Sequence, residues 1–372
     1  MIFQCLKQDL ASALMTVQKA ISTKPASTPI LSGIYLSAEE GNVLTIQATD
    51  YELAIVTKIK ANVEQPGKTV ISGKFFTEII KKISGNSINI EMDEETKKVK
   101  ISSEHAQFTL VTMPHEEFPT IKPLIGTNFI KLNSNQFKDI IRKTTFACSM
   151  DEGRPLFTGC LFEITDGIFN MVATDTHRMA IKTMDFTNLT ENVKIVIPAK
   201  ILNEIVRIIG NDENSEITIL WQKNEISFAF EDIYIKSRLI DGQFPNYRNV
   251  VPANHTLEIK INRANLADVI ERVSLLSSGL YNVMKMSCSG DNIIFSTSNP
   301  DIGRATEVIS AEITGPEMEV IFNSRYILDI VKHLESDEIV MKLNGPNSAA
   351  LIENPLDKDY KYVITPVRTN NM

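Results

Sequence analysis

Two periods alternate along the chain. Apolar residues three and four apart mark amphipathic helices, because 3.6 residues make one turn. Leu6, Leu10, Leu14, Val17 and Ile21 form one such stripe. Phe137, Ile140, Ile141 and Thr144 form a second, and Leu266, Val269, Ile270 and Val273 a third. Six helices are predicted, over 7–20, 73–82, 134–147, 199–209, 262–276 and 324–334. Between them the period falls to two, as in Ile217–Trp221, Ile226–Phe230 and Val99–Ile101. Residues i and i+2 share one face of a strand, so these segments predict half-buried strands. Glu40-Gly41-Asn42, Asp166-Gly167 and Ser289-Gly290-Asp291 carry turn chemistry and predict hairpins. The class is α+β with antiparallel sheets.

The pattern repeats at about 125 residues, a spacing read directly from matched segments. Lys74–Ile83, Lys200–Ile209 and Arg325–Leu334 align without gaps. Each reads basic, apolar pair, any, acidic, apolar pair, basic, any, apolar. Ala48-Thr49-Asp50 recurs as Ala173-Thr174-Asp175, Pro29–Gly33 as Pro155–Gly159, and Phe118-Pro119 as Phe244-Pro245. The repeat predicts three tandem copies of a two-helix, many-stranded domain, with boundaries at 1–126, 127–253 and 254–372. Tandem copies suggest an arc or ring rather than one active cleft.

Charge sharpens this picture. The 372 residues carry 38 Lys+Arg and 46 Asp+Glu, a net of −8, which argues against a protein coated for nucleic acid. The six predicted helices hold 14 basic and 7 acidic residues, leaving −15 for the sheets and loops. One reading is that helices simply tolerate Lys and Arg. The other is that the helices line one surface facing phosphates, which need charge but no sequence reading. Composition is that of an ordinary globular protein, and no apolar run approaches the ~18 residues of a spanning helix. The first residues lack the order of a signal peptide, so a cytoplasmic location is expected.

Catalytic equipment is missing. No GxGxxG, GxSxG or HExxH occurs. Gly67-Lys68-Thr69 resembles the end of a phosphate loop, but position 62 is Asn, and the segment reads as a turn. Cys5, Cys148, Cys160 and Cys288 form no CxxC pair and read as buried small hydrophobes. The five His show no metal-ligand spacing. Asp175 and His177 would share one side of a strand, so an Asp–His dyad is conceivable, with a structural or binding role the competing reading. No catalytic residue, metal or cofactor is expected.

Three motifs carry a resemblance. Ala173-Thr174-Asp175-Thr176-His177-Arg178-Met179-Ala180, Leu239–Arg248 and the ending Tyr362-Val363-Ile364-Thr365-Pro366-Val367-Arg368 resemble the bacterial DNA polymerase III beta subunits, the sliding clamps. Length, threefold repeat and motif order agree over the whole chain. The resemblance implies a clamp fold, ring-shaped as a head-to-tail homodimer, that encircles duplex DNA without sequence specificity and tethers polymerase and repair proteins. It implies a clamp loader as partner and no membrane. It also implies a peptide pocket between the second and third domains, at Phe157, Thr174, His177, Arg178, Met179, Pro245, Val250, Tyr326, Val363, Pro366, Val367 and Arg368. Arg178 and His177 would be polar rim donors over a floor of Met, Val and Pro.

DNA-facing candidates are Lys24, Lys74, Lys81, Lys138, Arg142, Lys200, Arg207, Arg325 and Lys332. Dimer-interface candidates are Phe108, Leu110, Leu275 and Leu276. Thr176, Asn249 and Thr365 depart from residues common in the family, and Thr369 to Met372 extend past its usual end, so the resemblance implies a pocket but does not extend to its peptide preference. Two alternatives remain at this point. A hydrolase would depend on Asp175 and His177. A protein scaffold without DNA would tolerate reversal of Lys74, Lys200 and Arg325 to Glu.

Overall fold

The computed structural model describes residues 1–22, 28–186, 192–209, 215–277 and 282–368. The 3.6-residue stripes fold as helices α1 (Lys7–Val17), α2 (Gly73–Lys82), α3 (Ser134–Thr144), α4 (Ala199–Ile208), α5 (Arg263–Ser274) and α6 (Ser324–His333). Residues 18–20 and 145–147, expected inside helices, form short 3-10 turns instead. Asparagines end the strands that lead into three helices and cap them. The side chain of Asn133 accepts from Asn135 N and Gln136 N, that of Asn262 from Asn265 N, and that of Asn323 from Arg325 N. Each cap satisfies an N–H that a helix start leaves without a partner.

The stripes point inward as their spacing requires. Leu10, Leu14 and Val17 of α1, Phe137, Ile140 and Ile141 of α3, and Leu266, Val269, Ile270 and Val273 of α5 are all buried. Ile21 is half-buried, and two expected core residues face solvent. Leu6 ends the strand Ile2–Leu6 and is exposed, and Phe75 of the repeated helix motif is exposed too. Periodicity assigned them to a face. Where that face ends depends on the neighbouring elements.

The chain divides into two compact units. One comprises Met1–Phe137 with Arg207–Leu239, the other Lys138–Val206 with Ile240–Met372. Residues expected to form the second domain contribute to both. The reason is strand pairing across repeats. In the first unit, Ile233–Arg238 of the second copy pairs antiparallel with Leu53–Lys60 of the first, Ile235 opposite Ile55, within a 13-stranded sheet. In the second unit, Asp357–Ile364 of the third copy pairs with Arg178–Asp185 of the second, Val363 opposite Met179, within a nine-stranded sheet. A four-stranded sheet completes that unit. Unpaired strand edges are costly when buried and adhesive when exposed, so adjoining edges pair whatever the repeat boundary.

The hairpins form at the expected turns. Asp166 and Gly167 both have positive φ, 53° and 77°, the geometry of a tight antiparallel turn. Gly67-Lys68-Thr69 is no turn. It opens the strand Gly67–Ser72, paired with Gly33–Glu39, because its position beside Ala38, Ser37 and Leu36 completes a ladder.

All four cysteines are buried and free. Burial pushes the Cys5 thiol up to about 12 and the Cys288 thiol up to about 11. The Cys160 thiol is also raised, by Cys148, whose Sγ lies 3.5 Å away, and by burial. The reactive species is the thiolate. Native protein at pH 8 is therefore expected to resist iodoacetamide, with four thiols reacting after denaturation. Rapid labelling of native protein by mass spectrometry would contradict this.

Candidate functional site

The site grows from the second Ala-Thr-Asp turn. Strands Ile168–Thr174 and Arg178–Asp185 are joined by Asp175-Thr176-His177. Asp175 Oδ1 accepts from His177 N at 2.9 Å and Arg178 N at 3.0 Å. Thr174 Oγ1 donates to Arg178 O and accepts from Thr176 N. Thr176 takes φ 78°, a value the turn's side-chain hydrogen bonds hold in place. Asp175 and His177 thus lie in a turn, not along a strand. The Asp175 carboxylate is taken by main-chain amides and by Arg178 Nε at 3.0 Å. No Asp–His dyad forms.

The first copy builds the same turn. Thr49 Oγ1 donates to Leu53 O, Tyr51 N donates to Thr49 Oγ1, and Asp50 Oδ1 accepts from Glu52 N and Leu53 N. Tyr51 has φ 73°. The two copies part ways just after the turn. Arg178 and Met179 stand where the first copy has Leu53 and Ala54. Val363 faces Met179, whereas the first copy has Lys236 opposite Ala54, ion-paired with Glu225 at 2.9 Å. The repeated motif encodes a turn. The variable residues after it make the cavity.

That cavity has a volume of about 210 Å³. Its floor is Met179, Phe244, Tyr247 and Val363, all buried, and Val250 and His177 stand exposed at its rim. Leu161, Val172 and Val196 back it from beneath. Phe157 packs edge-on to Phe244 at 6.3 Å. Drug-sized ligands occupy roughly 300–1,000 Å³, so this space fits one or two apolar side chains. Gly159 opens the strand behind Phe157, and a Cβ there would come 2.7 Å from Ile197 O and from Ile240 Cδ1. Close packing accounts for glycine at this repeated position.

Eight of the twelve expected pocket residues line the cavity: Phe157, Thr174, His177, Arg178, Met179, Pro245, Val250 and Val363. Tyr326, Pro366, Val367 and Arg368 do not. Val367 N donates to Ile321 O at 2.8 Å, which draws the chain end onto the strand Met318–Asn323. Tyr326 stacks on the Arg178 guanidinium at 4.4 Å. Thr176, Phe244, Tyr247 and Thr365 complete the lining. The repeat of Phe-Pro marked Phe244 as special, but Tyr247 carried no periodic signal. Thr365, like Thr176 a departure from the family pattern, bonds His177 O through both N and Oγ1. The extension Thr369 to Met372 lies outside the described residues.

Arg178 is not a rim donor. Its Nη1 pairs with Asp329, its Nη2 donates to Phe146 O at 2.9 Å, and its side chain is one-tenth exposed. The charge is turned inward because two carboxylates and a carbonyl meet it there. Burial works against that charge, but Asp329 and Asp175 favour it, and the guanidinium pKa is raised.

A second ion network lies behind the wall. Buried Glu163 accepts from Tyr247 Oη at 2.7 Å and Arg248 Nη2 at 2.7 Å, with Lys194 Nζ at 3.7 Å. Burial alone would raise the Glu163 carboxyl, but hydrogen bonds from Arg248 and Tyr247 hold it below the usual range. Burial and Glu163 together push the Tyr247 hydroxyl up.

Among the basic candidates, Lys74, Lys81, Arg142, Lys200, Arg207, Arg325 and Lys332 are exposed. Lys81 lies 3.8 Å from Glu78 and Lys332 lies 3.4 Å from Glu271. Lys138 is a correction: it is buried, because α3 turns that side inward. Lys24 lies outside the described residues. Phe108 and Leu275 are exposed, Leu110 and Leu276 half-buried. Among the described residues no helix is long and apolar enough to cross a membrane.

Models of the DNA polymerase III beta subunit match along the chain, the N-terminal domain at residues 1–122, the central domain at 131–246 and the C-terminal domain at 248–368. The beta sliding clamp of Staphylococcus epidermidis is 30% identical over 361 residues, covering 94% of this chain and 95% of that protein. The DNA polymerase sliding clamp of Bacillus subtilis superposes with a TM-score of 0.94 at 30% identity, covering 99% of both chains. The DNA polymerase III subunit beta of Pseudomonas aeruginosa gives 0.93 at 25% identity, covering 99% of this chain and 100% of that one.

Proposed function

The chain belongs to the family of bacterial DNA polymerase III beta subunits, the sliding clamps, and from that premise we propose how its surfaces do the work of a clamp. The protein is a processivity factor of DNA replication and a non-catalytic subunit. Two chains join head to tail, and their six repeat domains (1–126, 127–253 and 254–372 in each) close around duplex DNA.

One observation carries this reading. In each compact unit, a strand of one repeat pairs with a strand of the next: Leu53–Lys60 with Ile233–Arg238, and Arg178–Asp185 with Asp357–Ile364. Among the described residues, the third repeat's corresponding strand, Gly303–Ser310, has only Asn292–Asn299 beside it. The first repeat's last strand, Ala106–Met113, meets Gly67–Ser72 only at Thr112 and Met113. Phe108 and Val111 on that strand and Val308 on the other are exposed. Two open, apolar edges in one chain are an aggregation hazard unless they pair with each other in a second copy. Pairing them repeats the rule already used twice within the chain. Leu275 and Leu276 then pack beside the joint.

The exposed Lys and Arg of the helices face the phosphate backbone, supplying charge without base reading. Retention is topological, so affinity stays low enough for sliding. The apolar cavity takes a short segment of polymerase or repair proteins, raising their effective concentration at the template. A separate clamp loader opens the ring, and the protein acts in the cytoplasm.

The test is retention by topology. Labelled protein is loaded with clamp loader and ATP onto nicked circular duplex, isolated at raised salt, and the DNA is linearised. Release on cutting is the expected result, since phosphate binding does not depend on free ends. Equal retention before and after cutting, with the loader active on another clamp, would overturn encirclement.

A further inference from the structure

The cavity wall from Phe244 to Val250 is held in an unusual way. Ile240 N donates to Val196 O, and the next main-chain bond to the sheet is from Thr256 N to Leu343 O. Between them, among the described residues, no main-chain hydrogen bond ties the segment to a strand. Yet Phe244, Pro245, Tyr247 and Val250 all line the cavity. Side chains must therefore set where this wall stands. Phe244 and Tyr247 are buried in the apolar cluster under the cavity, but apolar packing is not directional and leaves a wall free to slide.

Glu163 supplies direction. It projects from the strand Gly159–Thr165, second from the edge of the nine-stranded sheet, with Asn170 and Lys194 as its neighbours in register. One carboxylate takes both Tyr247 Oη and the Arg248 guanidinium. Arg248 in turn stacks on the Tyr247 ring, 4.7 Å from its centroid. Charge-assisted hydrogen bonds of this kind are directional and about twice as strong as neutral ones. The carboxylate is buried, so losing it leaves the Tyr247 hydroxyl without its acceptor.

We propose that Glu163 is a positioning residue for the cavity: through Tyr247 and Arg248 it fixes the Phe244–Val250 wall and so sets the affinity for the inserted peptide. Glu163 touches no peptide itself. The inference rests on the peptide-binding reading above.

The test uses the full chain and a fluorescein-labelled synthetic peptide carrying one Gln with Leu and Phe anchors, read by fluorescence anisotropy. Wild type, Y247F, E163Q, E163A and the double variant E163A/Y247F are compared. E163A is expected to weaken binding about five- to tenfold, the loss of a charged hydrogen-bond network. Y247F keeps the buried ring and loses the bond, so it folds even where E163A does not, and it weakens binding by about threefold. E163Q keeps an acceptor for Tyr247 and recovers part of the affinity, which a merely structural role would not produce. The double variant is expected to bind no worse than E163A, because both changes cut one link. Wild-type affinity in Y247F and E163Q, with wild type binding normally, would overturn the positioning role alone. Failure of wild type to bind would overturn the peptide pocket, and this inference with it.

Discussion

Arg178→Ala is expected to lower stability by about 3 kcal/mol and abolish peptide binding, while His177→Ala changes stability by less than about 0.5 kcal/mol. The difference lies in how each side chain is used. His177 is exposed at the rim. Arg178 donates in three directions, to Asp175, Asp329 and Phe146 O, and lies against the Tyr326 and Phe146 rings. Removing it leaves the Asp175 carboxylate, 12% exposed, without a countercharge. Breaking a buried pair costs about 3–5 kcal/mol, and the lower end applies because Asp329 is 41% exposed. Arg178→Lys is expected to recover only a fraction, since a point charge cannot serve three acceptors. Urea unfolding of the full chain measures the cost. A midpoint unchanged in Arg178→Ala would show that the turn stands without its arginine.

Acid is expected to unlock the seam where the second and third repeats meet. Asp357 Oδ1 lies 2.6 Å from Lys182 Nζ, and its Oδ2 lies 3.2 Å from Lys143 Nζ. Tyr360 Oη donates to Lys143 O at 2.7 Å. Burial works to raise the Asp357 carboxyl, but Lys182 and Lys143 outweigh it and hold it below the usual range. Glu163 is also held low. A carboxyl depressed in the folded state stabilises the protein above its unfolded pKa, about 4. That stability is lost as pH falls from there through the folded value. The melting temperature of wild type should therefore drop below about pH 4. Asp357→Asn should be less stable at pH 7 by about 3 kcal/mol, because Lys182 loses its countercharge while Lys143 keeps Asp139 at 2.9 Å. The two melting curves should converge at low pH, where Asp357 is protonated anyway. Parallel curves from pH 7 to pH 3 would show that the seam does not depend on this charge.

The clamp reading also explains why the chain tolerates an acidic total. Exposed basic side chains on the helices are enough for phosphate contact, and acidic sheets and loops keep the rest of the surface soluble. Lys138 shows the limit of counting charges. It added to the helix total, yet it is buried.

What the sequence determined by itself was local or repeated. The helices sat where apolar residues recurred every three or four positions, and the hairpins where Asp-Gly and Gly-Asn permitted positive φ. The recurrence of Ala-Thr-Asp was legible, but its turn was not: Asp175 and His177 read as neighbours on one side of a strand, and the bonds from His177 N and Arg178 N to Asp175 that close the turn emerged only in the fold. Most of the pocket was reached through resemblance, since Met179 and Val363 carry no period that sets them apart; only Phe244-Pro245 stood out, as a repeat of Phe118-Pro119. Only the tertiary structure decided which partner each charge meets. Glu163 lies 84 residues from Tyr247 and Arg178 lies 151 from Asp329. Nothing in the spacing of a lone carboxylate or guanidinium says which distant group will face it. Folding decides that, because a buried charge is stable only where a partner from another strand or helix comes within hydrogen-bonding distance. The same holds for strand edges: period two announces a strand, but its neighbour is chosen by which open edge the rest of the chain brings alongside.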